Sequence, residues 1–259
     1  MRNGALRLPH VARSPAHFMG DETPYGDGGD MFSSLFVNLV TRLKRFSFGE
    51  GPQERSLELE VSTAACTDHD LTGQILWPGA RLLCHWLGKQ PDSFFSAPAL
   101  ELGAGTGLAG LYYCARGGSV VLTDYQPVVL DLLTRNGAAV RCDQPSAGPL
   151  RVAPLLWGDG AAHSGLLSDT PDGQGYPVLL AADVVYPGSQ NALPGLVSSV
   201  CALLAPGGAL YLCYCSRART TDVALFDALR DAGLTAQQVS EPVLDGSVSG
   251  IVYCIQRAP

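Results

Sequence analysis

The sequence predicts an α/β fold, a doubly wound and mostly parallel β-sheet with helices on both faces. The chain has 259 residues, of which 46% are hydrophobic, so it can bury a large core. From residue 99 onward, short apolar runs alternate with helical stretches. Runs that are apolar on both faces are typical of parallel strands covered on both sides. Glycines cluster where the first of these runs passes into a helix, as at the ligand-binding turn of such sheets.

The N-terminal part lies outside this alternation. Residues 1–30 contain five Gly and three Pro with little hydrophobic periodicity, and we expect a disordered tail there. Its early arginines faintly resemble a targeting peptide. The pattern from Met31 to Phe48 predicts a short amphipathic helix with Arg42, Lys44 and Arg45 on its polar side. The expected divisions are a tail at 1–30, a helical extension at 31–56 and a folded domain at 57–259.

The elements of the folded domain follow from local patterns. Residues 57–61 alternate with period two and predict a half-buried strand, and Pro78 opens a helix after Trp77. Apolar runs predict strands at 99–102, 119–123, 152–156, 178–182, 208–214, 236–240 and 250–256. Helices are predicted at 107–116, 127–135, 190–204 and 222–231. The polar, glycine-rich segment 158–176 predicts a long loop.

Composition and motif content exclude several classes of function. The net charge of −7 argues against a protein that wraps nucleic acid. Apolar stretches fall short of the roughly 18 residues of a membrane span, so we expect no membrane contact. The eight cysteines form no C-x-x-C pair and have no histidine at zinc-ligand spacing, which predicts reduced structural cysteines and no metal site. A G-x-S-x-G nucleophile motif is absent.

The strongest functional signal is the segment Leu100–Leu108. Gly103, Gly105 and Gly107 follow a predicted strand directly, so the backbone can turn sharply and approach a ligand at the N-terminus of the next helix. The next strand leads into Asp124, an acid placed to accept hydrogen bonds from both hydroxyls of a ribose. Together these residues predict an adenosine-type cofactor at the carboxyl edge of the sheet.

Two cofactors and one structural role compete for this loop. Gly105, Gly107 and Gly110 satisfy the G-x-G-x-x-G pattern of dinucleotide binding, so a nicotinamide-dependent oxidoreductase is one alternative. Glu101, two residues before the first glycine, suits the positively charged methionine end of S-adenosylmethionine and would repel a pyrophosphate. The third interpretation is a glycine turn that only packs the helix against the strand.

A wider pattern resembles a known family. Five segments occur in order: Thr72-Gly-x-x-x-Trp77-Pro78, Glu101-Leu-Gly-Ala-Gly-Thr-Gly107, Leu122-Thr-Asp124, Leu156-Trp157-Gly158 and Asp183-Val-Val-Tyr186. Over about residues 57–256 the chain resembles the family 16 group of seven-strand (class I) S-adenosylmethionine-dependent methyltransferases, which includes many protein-lysine methyltransferases. The Trp77 segment and Asp-x-x-Tyr are its most specific parts. The resemblance implies a Rossmann-like sheet of seven strands, mostly parallel with an antiparallel C-terminal strand, and S-adenosyl-L-methionine as cofactor.

The resemblance also implies residue roles. Cofactor contacts are expected from Trp77, Gly103, Ala104, Gly105, Asp124, Trp157 and Ala182. Asp183 and Tyr186 border the acceptor pocket and are the candidate catalytic residues. The residues themselves leave alternatives: Trp157 stacks on adenine or belongs to the core, Trp77 caps the cofactor or fixes its helix, and Tyr186 lines the pocket or packs. Asp183 follows an apolar run, where a carboxylate is costly unless it is solvated or paired.

The sequence therefore predicts a protein N-lysine methyltransferase in which Asp183 orients the acceptor amine. We expect a protein substrate, no nucleic acid partner and a monomer in the cytoplasm, with the nucleus or an organelle as alternative locations. Two other functions stay open. One is a methyltransferase that acts on a small molecule or on another protein side chain, and the other is a catalytically inactive cofactor-binding scaffold.

Overall fold

The computed structural model describes residues 41–62, 72–245 and 248–258. The strands within these residues are β1 (Thr41–Phe48), β2 (Arg55–Ser62), β3 (Ala99–Glu101), β4 (Val120–Asp124), β5 (Leu150–Pro154), β6 (Tyr176–Ala182), β7 (Leu204–Tyr214), β8 (Leu234–Gln238), β9 (Val243–Asp245) and β10 (Val248–Arg257). The α-helices are α1 (Pro78–Leu87), α2 (Leu108–Ala115), α3 (Pro127–Asp143), α4 (Gly160–Ser168), α5 (Leu193–Leu203) and α6 (Arg219–Asp231). None of the helices in these ranges has the length and apolar character needed to cross a bilayer.

The predicted doubly wound sheet is confirmed. Seven strands follow the order β5-β4-β3-β6-β7-β10-β8, and β9 pairs with β10 outside this path. Neighbours from β5 to β7 pair in parallel, whereas β10 is antiparallel to both β7 and β8. The chain winds outward from β3 to β5 on one side and then continues at β6 on the other. Such a reversal opens a crevice beyond the carboxyl ends of β3 and β6, where ligands of doubly wound sheets bind.

Two apolar cores cover the two faces of the sheet. Alternate residues of each central strand point to opposite sides, so Val178 and Leu180 of β6 join one core while Leu179 and Ala181 join the other. Helices α1, α2 and α3 close the first core, and α4, α5 and α6 close the second. The seven cysteines within the described residues are free thiols, as predicted.

The helix predicted up to Phe48 is wrong for residues 41–48. These residues form β1, which pairs along its whole length with β2 in an antiparallel hairpin. The hairpin buries Leu57, Leu59 and Val61 of β2, and Phe46 and Phe48 of β1 pack against the same core. The pattern of residues 41–48 predicted a helix, but pairing with β2, whose residues alternate strongly, makes them a strand. The predicted tail at 1–30 and residues 31–40 lie outside the described residues.

The long loop predicted at 158–176 is wrong for residues 160–168. Helix α4 occupies Gly160–Ser168 and buries His163 and Leu166. Asp159 begins the helix, because its carboxylate accepts hydrogen bonds from the backbone N–H groups of Ala161 and Ala162. The glycines at 160 and 165 favour a loop, so the sequence pattern did not predict this helix.

Candidate functional site

A cavity of about 580 Å³ lies at the carboxyl ends of β3, β4 and β6. Every residue predicted for the site lines this cavity except Gly107. The structure therefore brings together side chains from five separated segments, as the resemblance implied. The cavity lies in the crevice that the reversal of strand order opens between β3 and β6.

The glycine loop after β3 forms one wall of the cavity. Gly103 and Gly105 have φ angles of 61° and 55°, in the left-handed region that favours glycine. A Cβ atom on Gly103 would lie 2.9 Å from Cζ2 of Trp157, and one on Gly105 would lie 3.1 Å from the carbonyl oxygen of Gly73. Side chains at these positions would disturb the loop and its neighbours. Gly107 serves helix packing instead, since its Cβ would lie 2.7 Å from Cδ2 of Leu133.

Glu101 is a buried acid at the floor of the cavity. Glu101 is only 1% exposed, and its Oε2 accepts a hydrogen bond of 2.9 Å from the N–H of Gly110 in the first turn of α2. Burial raises the pKa of Glu101 to about 8, the Gly110 hydrogen bond opposes this rise, and the charge of Asp124 adds to it. Glu101 thus supports the start of α2 and presents a titratable carboxyl group to the cavity.

Gly110 explains why the G-x-G-x-x-G pattern is present. A Cβ at this position would lie 2.2 Å from Cδ2 of Leu122 and 2.6 Å from Oε2 of Glu101. The third glycine therefore allows α2 to pack closely against the sheet. Close packing accounts for this residue, and the third glycine of dinucleotide-binding folds has the same role, so Gly110 does not separate the two cofactors.

Asp124 connects the glycine loop to the turn before α3. Its Oδ2 accepts a hydrogen bond of 3.1 Å from the N–H of Gly105, and its Oδ1 accepts one of 2.8 Å from the N–H of Tyr125. Burial raises the pKa of Asp124, although these backbone hydrogen bonds lower it. The carboxylate consequently positions the loop as well as facing the cavity.

Two tryptophans lie on different sides of the cavity. The ring of Trp157 lies close to Gly103 and is partly buried against the second core. Trp77 is 38% exposed, and its Nε1 donates a hydrogen bond of 3.0 Å to the carbonyl oxygen of Thr72. The rings of Trp77 and Tyr186 are nearly parallel, with centroids 6.4 Å apart and an interplanar angle of 9°. Trp77 therefore forms a rim together with Tyr186 beside α1.

Asp183 is paired, and this modifies the role expected of it. Its side chain has no exposed surface, and its Oδ2 accepts a hydrogen bond of 3.3 Å from the N–H of Gly79 in the first turn of α1. Arg217 donates two further hydrogen bonds, of 2.5 Å from Nη1 to Oδ1 and 2.7 Å from Nη2 to Oδ2. A carboxylate has about four acceptor positions, and protein groups occupy three of them on Asp183.

The backbone of Asp183 is also unusual. Its φ angle is 59°, and among the described residues it alone combines a positive φ with a side chain. Such a conformation costs on the order of 1 kcal/mol. The ion pair with Arg217 and the hydrogen bond from Gly79 hold it in place. Strain maintained by surrounding contacts at the edge of a cavity is typical of functional positions.

Sequence reasoning missed part of the site. Arg217 follows β7 in an irregular segment, and nothing in its neighbours indicates a partner 34 residues away. Apolar and polar wall residues were also missed: Ile75, Val129, Leu155, Leu156, Val184, Ser189 and Asn191. Leu155 and Leu156 end the strand predicted at 152–156 and Val184 follows Asp183 directly, so these three positions had a usable signal.

A family model described as lysine methyltransferase matches residues 55–232. The chain belongs to this family. Its matched part contains the glycine loop, both tryptophans of the cavity, Asp124 and the Asp183–Arg217 pair. The resemblance noted in the sequence is therefore confirmed.

The chain is similar to proteins whose names describe lysine methyltransferases. "EEF1A lysine methyltransferase 3" of Mus musculus is 33% identical over 138 residues, which cover 53% of this chain and 53% of that protein. "Protein-lysine N-methyltransferase EEF2KMT" of Homo sapiens is 32% identical over 144 residues, covering 52% of this chain and 42% of that protein. The chain thus spans about half the length of these relatives.

A solved structure confirms the fold independently. The T. Thermophilus 16S rRNA N2 methyltransferase (RsmC), solved in complex with AdoMet and guanosine, superposes with a TM-score of 0.53. It is 14% identical, and the match covers 85% of this chain and 52% of that one. At this identity the similarity concerns the Rossmann-like methyltransferase fold.

Proposed function

We propose that this chain uses S-adenosylmethionine to methylate a lysine side chain of a protein. The observation that carries the proposal is the cavity at the carboxyl ends of β3, β4 and β6. It joins the glycine loop, Glu101 and Asp124 on one side to the Asp183–Tyr186 segment on the other. Family membership supports methyl transfer, and the names of the relatives support lysine as the acceptor.

The cavity fits this cofactor in size and chemistry. A volume of about 580 Å³ suits a ligand of this size. Glu101 provides an acid for the cationic methionine end, and Asp124 provides one for the ribose hydroxyls. Val129, Leu155 and Trp157 give an apolar wall for the adenine. The bare glycine backbone leaves room that a Cβ at Gly103 or Gly105 would take away.

The protein mainly positions the reactants. When bound, the cofactor supplies a methyl group already activated on a sulfonium. The chain must hold the acceptor nitrogen in line with this methyl group and keep water away. Trp77 and Tyr186 line the rim beside Asp183, so their rings are placed to enclose the alkyl part of a lysine. Asp183 orients the amine through the acceptor position that Gly79 and Arg217 leave.

Lysine must lose a proton before it accepts the methyl group. With an ordinary pKa near 10.4, roughly one lysine in a thousand is neutral near neutral pH, a deficit of about 4 kcal/mol. A partly apolar, aromatic rim lowers the pKa of an entering amine because it solvates the ammonium poorly. The site therefore assists deprotonation by its environment and does not require a strong base.

The test is incubation with methyl-labelled S-adenosylmethionine and either purified EEF1A or a cell extract. The proposal expects label in protein, and mass spectrometry should place it on a lysine ε-nitrogen. Asp124→Ala is the matched control, and at limiting cofactor it should transfer less label because it lacks the expected ribose contact. Label found only in RNA, in small molecules or on other side chains would contradict lysine as the acceptor.

A further inference from the structure

Three elements converge on the carboxylate of Asp183. It follows β6, it accepts the Gly79 N–H at the start of α1, and it pairs with Arg217 beyond the end of β7. The Arg217 side chain is 28% exposed, and its guanidinium carbon lies 5.7 Å from the ring centroid of Trp77. Nη1 of Arg217 also donates to the carbonyl oxygen of Cys215 at 3.3 Å. Arg217 is therefore fixed between the buried acid and the aromatic rim of the cavity.

An unpaired carboxylate at this position would oppose the reaction. A negative charge beside an entering lysine favours the ammonium form, which has no lone pair to accept a methyl group. The positive charge of Arg217 offsets that of Asp183. The side chain of Asp183 is covered, so an entering amine must displace part of this cover to reach the one acceptor position that Gly79 and Arg217 leave. The pair can thus orient the amine without holding it as a cation.

We infer that Arg217 is a positioning residue for methyl transfer, one that neutralises and orients Asp183 so that the acceptor lysine reacts as the neutral amine. The inference rests on the proposed function. Arginine suits this role because its planar fork matches a carboxylate and stays charged at every working pH. A lysine at 217 would supply the charge without the two parallel hydrogen bonds.

Other titratable groups surround the pair and bear on any pH experiment. They are Cys213 and Tyr214 from β7, Cys215 directly after β7, Cys84 from α1, Asp222 from α6, Tyr186 after β6 and Glu101 from β3. Burial raises the pKa of Cys84 and Tyr214, and a hydrogen bond with Cys215 together with burial raises that of Cys213. Burial raises the pKa of Glu101 to about 8, within the pH range of the experiment, and Arg217 is not among the groups that shift it.

The experiment compares Arg217→Gln, Arg217→Lys and the matched control Arg219→Gln, which removes an exposed arginine at the start of α6. Single-turnover methyl transfer to lysines of cell-extract protein is followed by mass spectrometry from pH 6.5 to 9.5 at saturating cofactor. The affinity for S-adenosylhomocysteine and the melting temperature are measured on the same preparations.

We expect the rate profile of Arg217→Gln to move to higher pH by about one unit, which is about a tenfold loss near neutral pH that alkaline pH recovers. Arg217→Lys should lie between it and the wild type, Arg219→Gln should match the wild type, and cofactor affinity should stay within about threefold. An unshifted profile would overturn the inference, and so would an equal loss at every pH accompanied by weaker cofactor binding or a lower melting temperature. If the wild type itself methylates no lysine, the proposed function fails, and the inference fails with it.

Discussion

The carboxylate of Asp124 holds the glycine loop, and we expect it also to bind the ribose of the cofactor, so its replacement should affect both. We expect Asp124→Ala to weaken binding of S-adenosylhomocysteine by about 1.5–3 kcal/mol, the range of hydrogen bonds to a charged group. The loop contact to Gly105 is lost as well. Asp124→Asn keeps one acceptor oxygen and should lose less. Calorimetry on folded variants measures both, and unchanged affinity in Asp124→Ala would refute the ribose contact.

Glu101 should make stability and cofactor binding respond to pH in opposite directions. Its pKa is about 8 in the fold, against an ordinary value of 4.5. The folded protein therefore favours the protonated form, and stability falls as pH rises from about 4.5 to 8 and then levels off. Glu101→Gln should remove this slope and raise the free energy of unfolding of the ligand-free protein at pH 8 by at least about 1 kcal/mol.

Cofactor binding gives the counterpart of this prediction. A charged Glu101 attracts the methionine ammonium, so wild-type affinity for S-adenosylhomocysteine should increase between pH 6.5 and 8.5, and this increase should be absent in Glu101→Gln. Denaturant unfolding and calorimetry across this range measure the two effects. If the affinity and the stability of the wild type and of Glu101→Gln change in parallel with pH, Glu101 does not titrate in the cavity.

Asp183→Asn separates chemistry from cofactor binding. The change keeps the shape but leaves the charge of Arg217 without its partner. Turnover should fall by at least about tenfold, equivalent to about 1.4 kcal/mol of transition-state stabilisation, while cofactor affinity changes much less. Full turnover would exclude a role for the carboxylate, and an equal loss of cofactor affinity would make it a cofactor anchor.

The pairing of Asp183 marks the limit of sequence reasoning at the residue scale. The position after an apolar run indicated that this acid needs a partner. The partner, Arg217, lies beyond another strand, and only the sheet order brings the two together. By contrast, Gly103 and Asp124 were predictable because each follows its own strand directly.

At the scale of elements, α4 gives a direct test of capping. Asp159 accepts two backbone hydrogen bonds at its N-terminus, and two of the helix's nine residues are glycines. Asp159→Ala should therefore lower the free energy of unfolding by about 0.5–2 kcal/mol. Asp172→Ala, an exposed aspartate after this helix, is the control and should have almost no effect. Equal effects from the two variants would contradict the capping role.

The boundary of α3 shows why element ends were harder to predict than the elements themselves. The helix predicted at 127–135 continues to Asp143. The side chain of Asn136 is buried and bonded to the backbone of Glu60 and Thr106, and Gly137 allows Leu150 to approach. These contacts join distant segments, so no local pattern contains them, and they stabilise the helix beyond its predicted end.

At the scale of the whole molecule, the sheet could be predicted because its strands carry their own signal. Buried parallel strands must be apolar on both faces, and the runs at β3, β4, β6 and β7 satisfy this condition. The β1–β2 hairpin lies outside this sheet, and the pattern of its first strand resembled a helix. Conformation there depends on pairing between segments.

Folding of the domain should not require residues 1–30, which offer no periodic apolar face. The described residues, which lie between 41 and 258, belong to one compact unit. A chain that begins at Met31 should keep its melting temperature and its stabilisation by S-adenosylhomocysteine, both measurable by thermal denaturation. A loss of several degrees would show that these residues pack on the domain.

We propose that the cavity binds S-adenosylmethionine with the methyl group directed towards Asp183 and Tyr186. A crystal structure with S-adenosylhomocysteine tests this most directly. We expect ribose hydroxyls within hydrogen-bond distance of Asp124, the amino end beside Glu101, and the sulfur nearest the rim formed by Trp77 and Tyr186. A ligand bound elsewhere, or one reversed so that its sulfur faces away from Asp183, would contradict it.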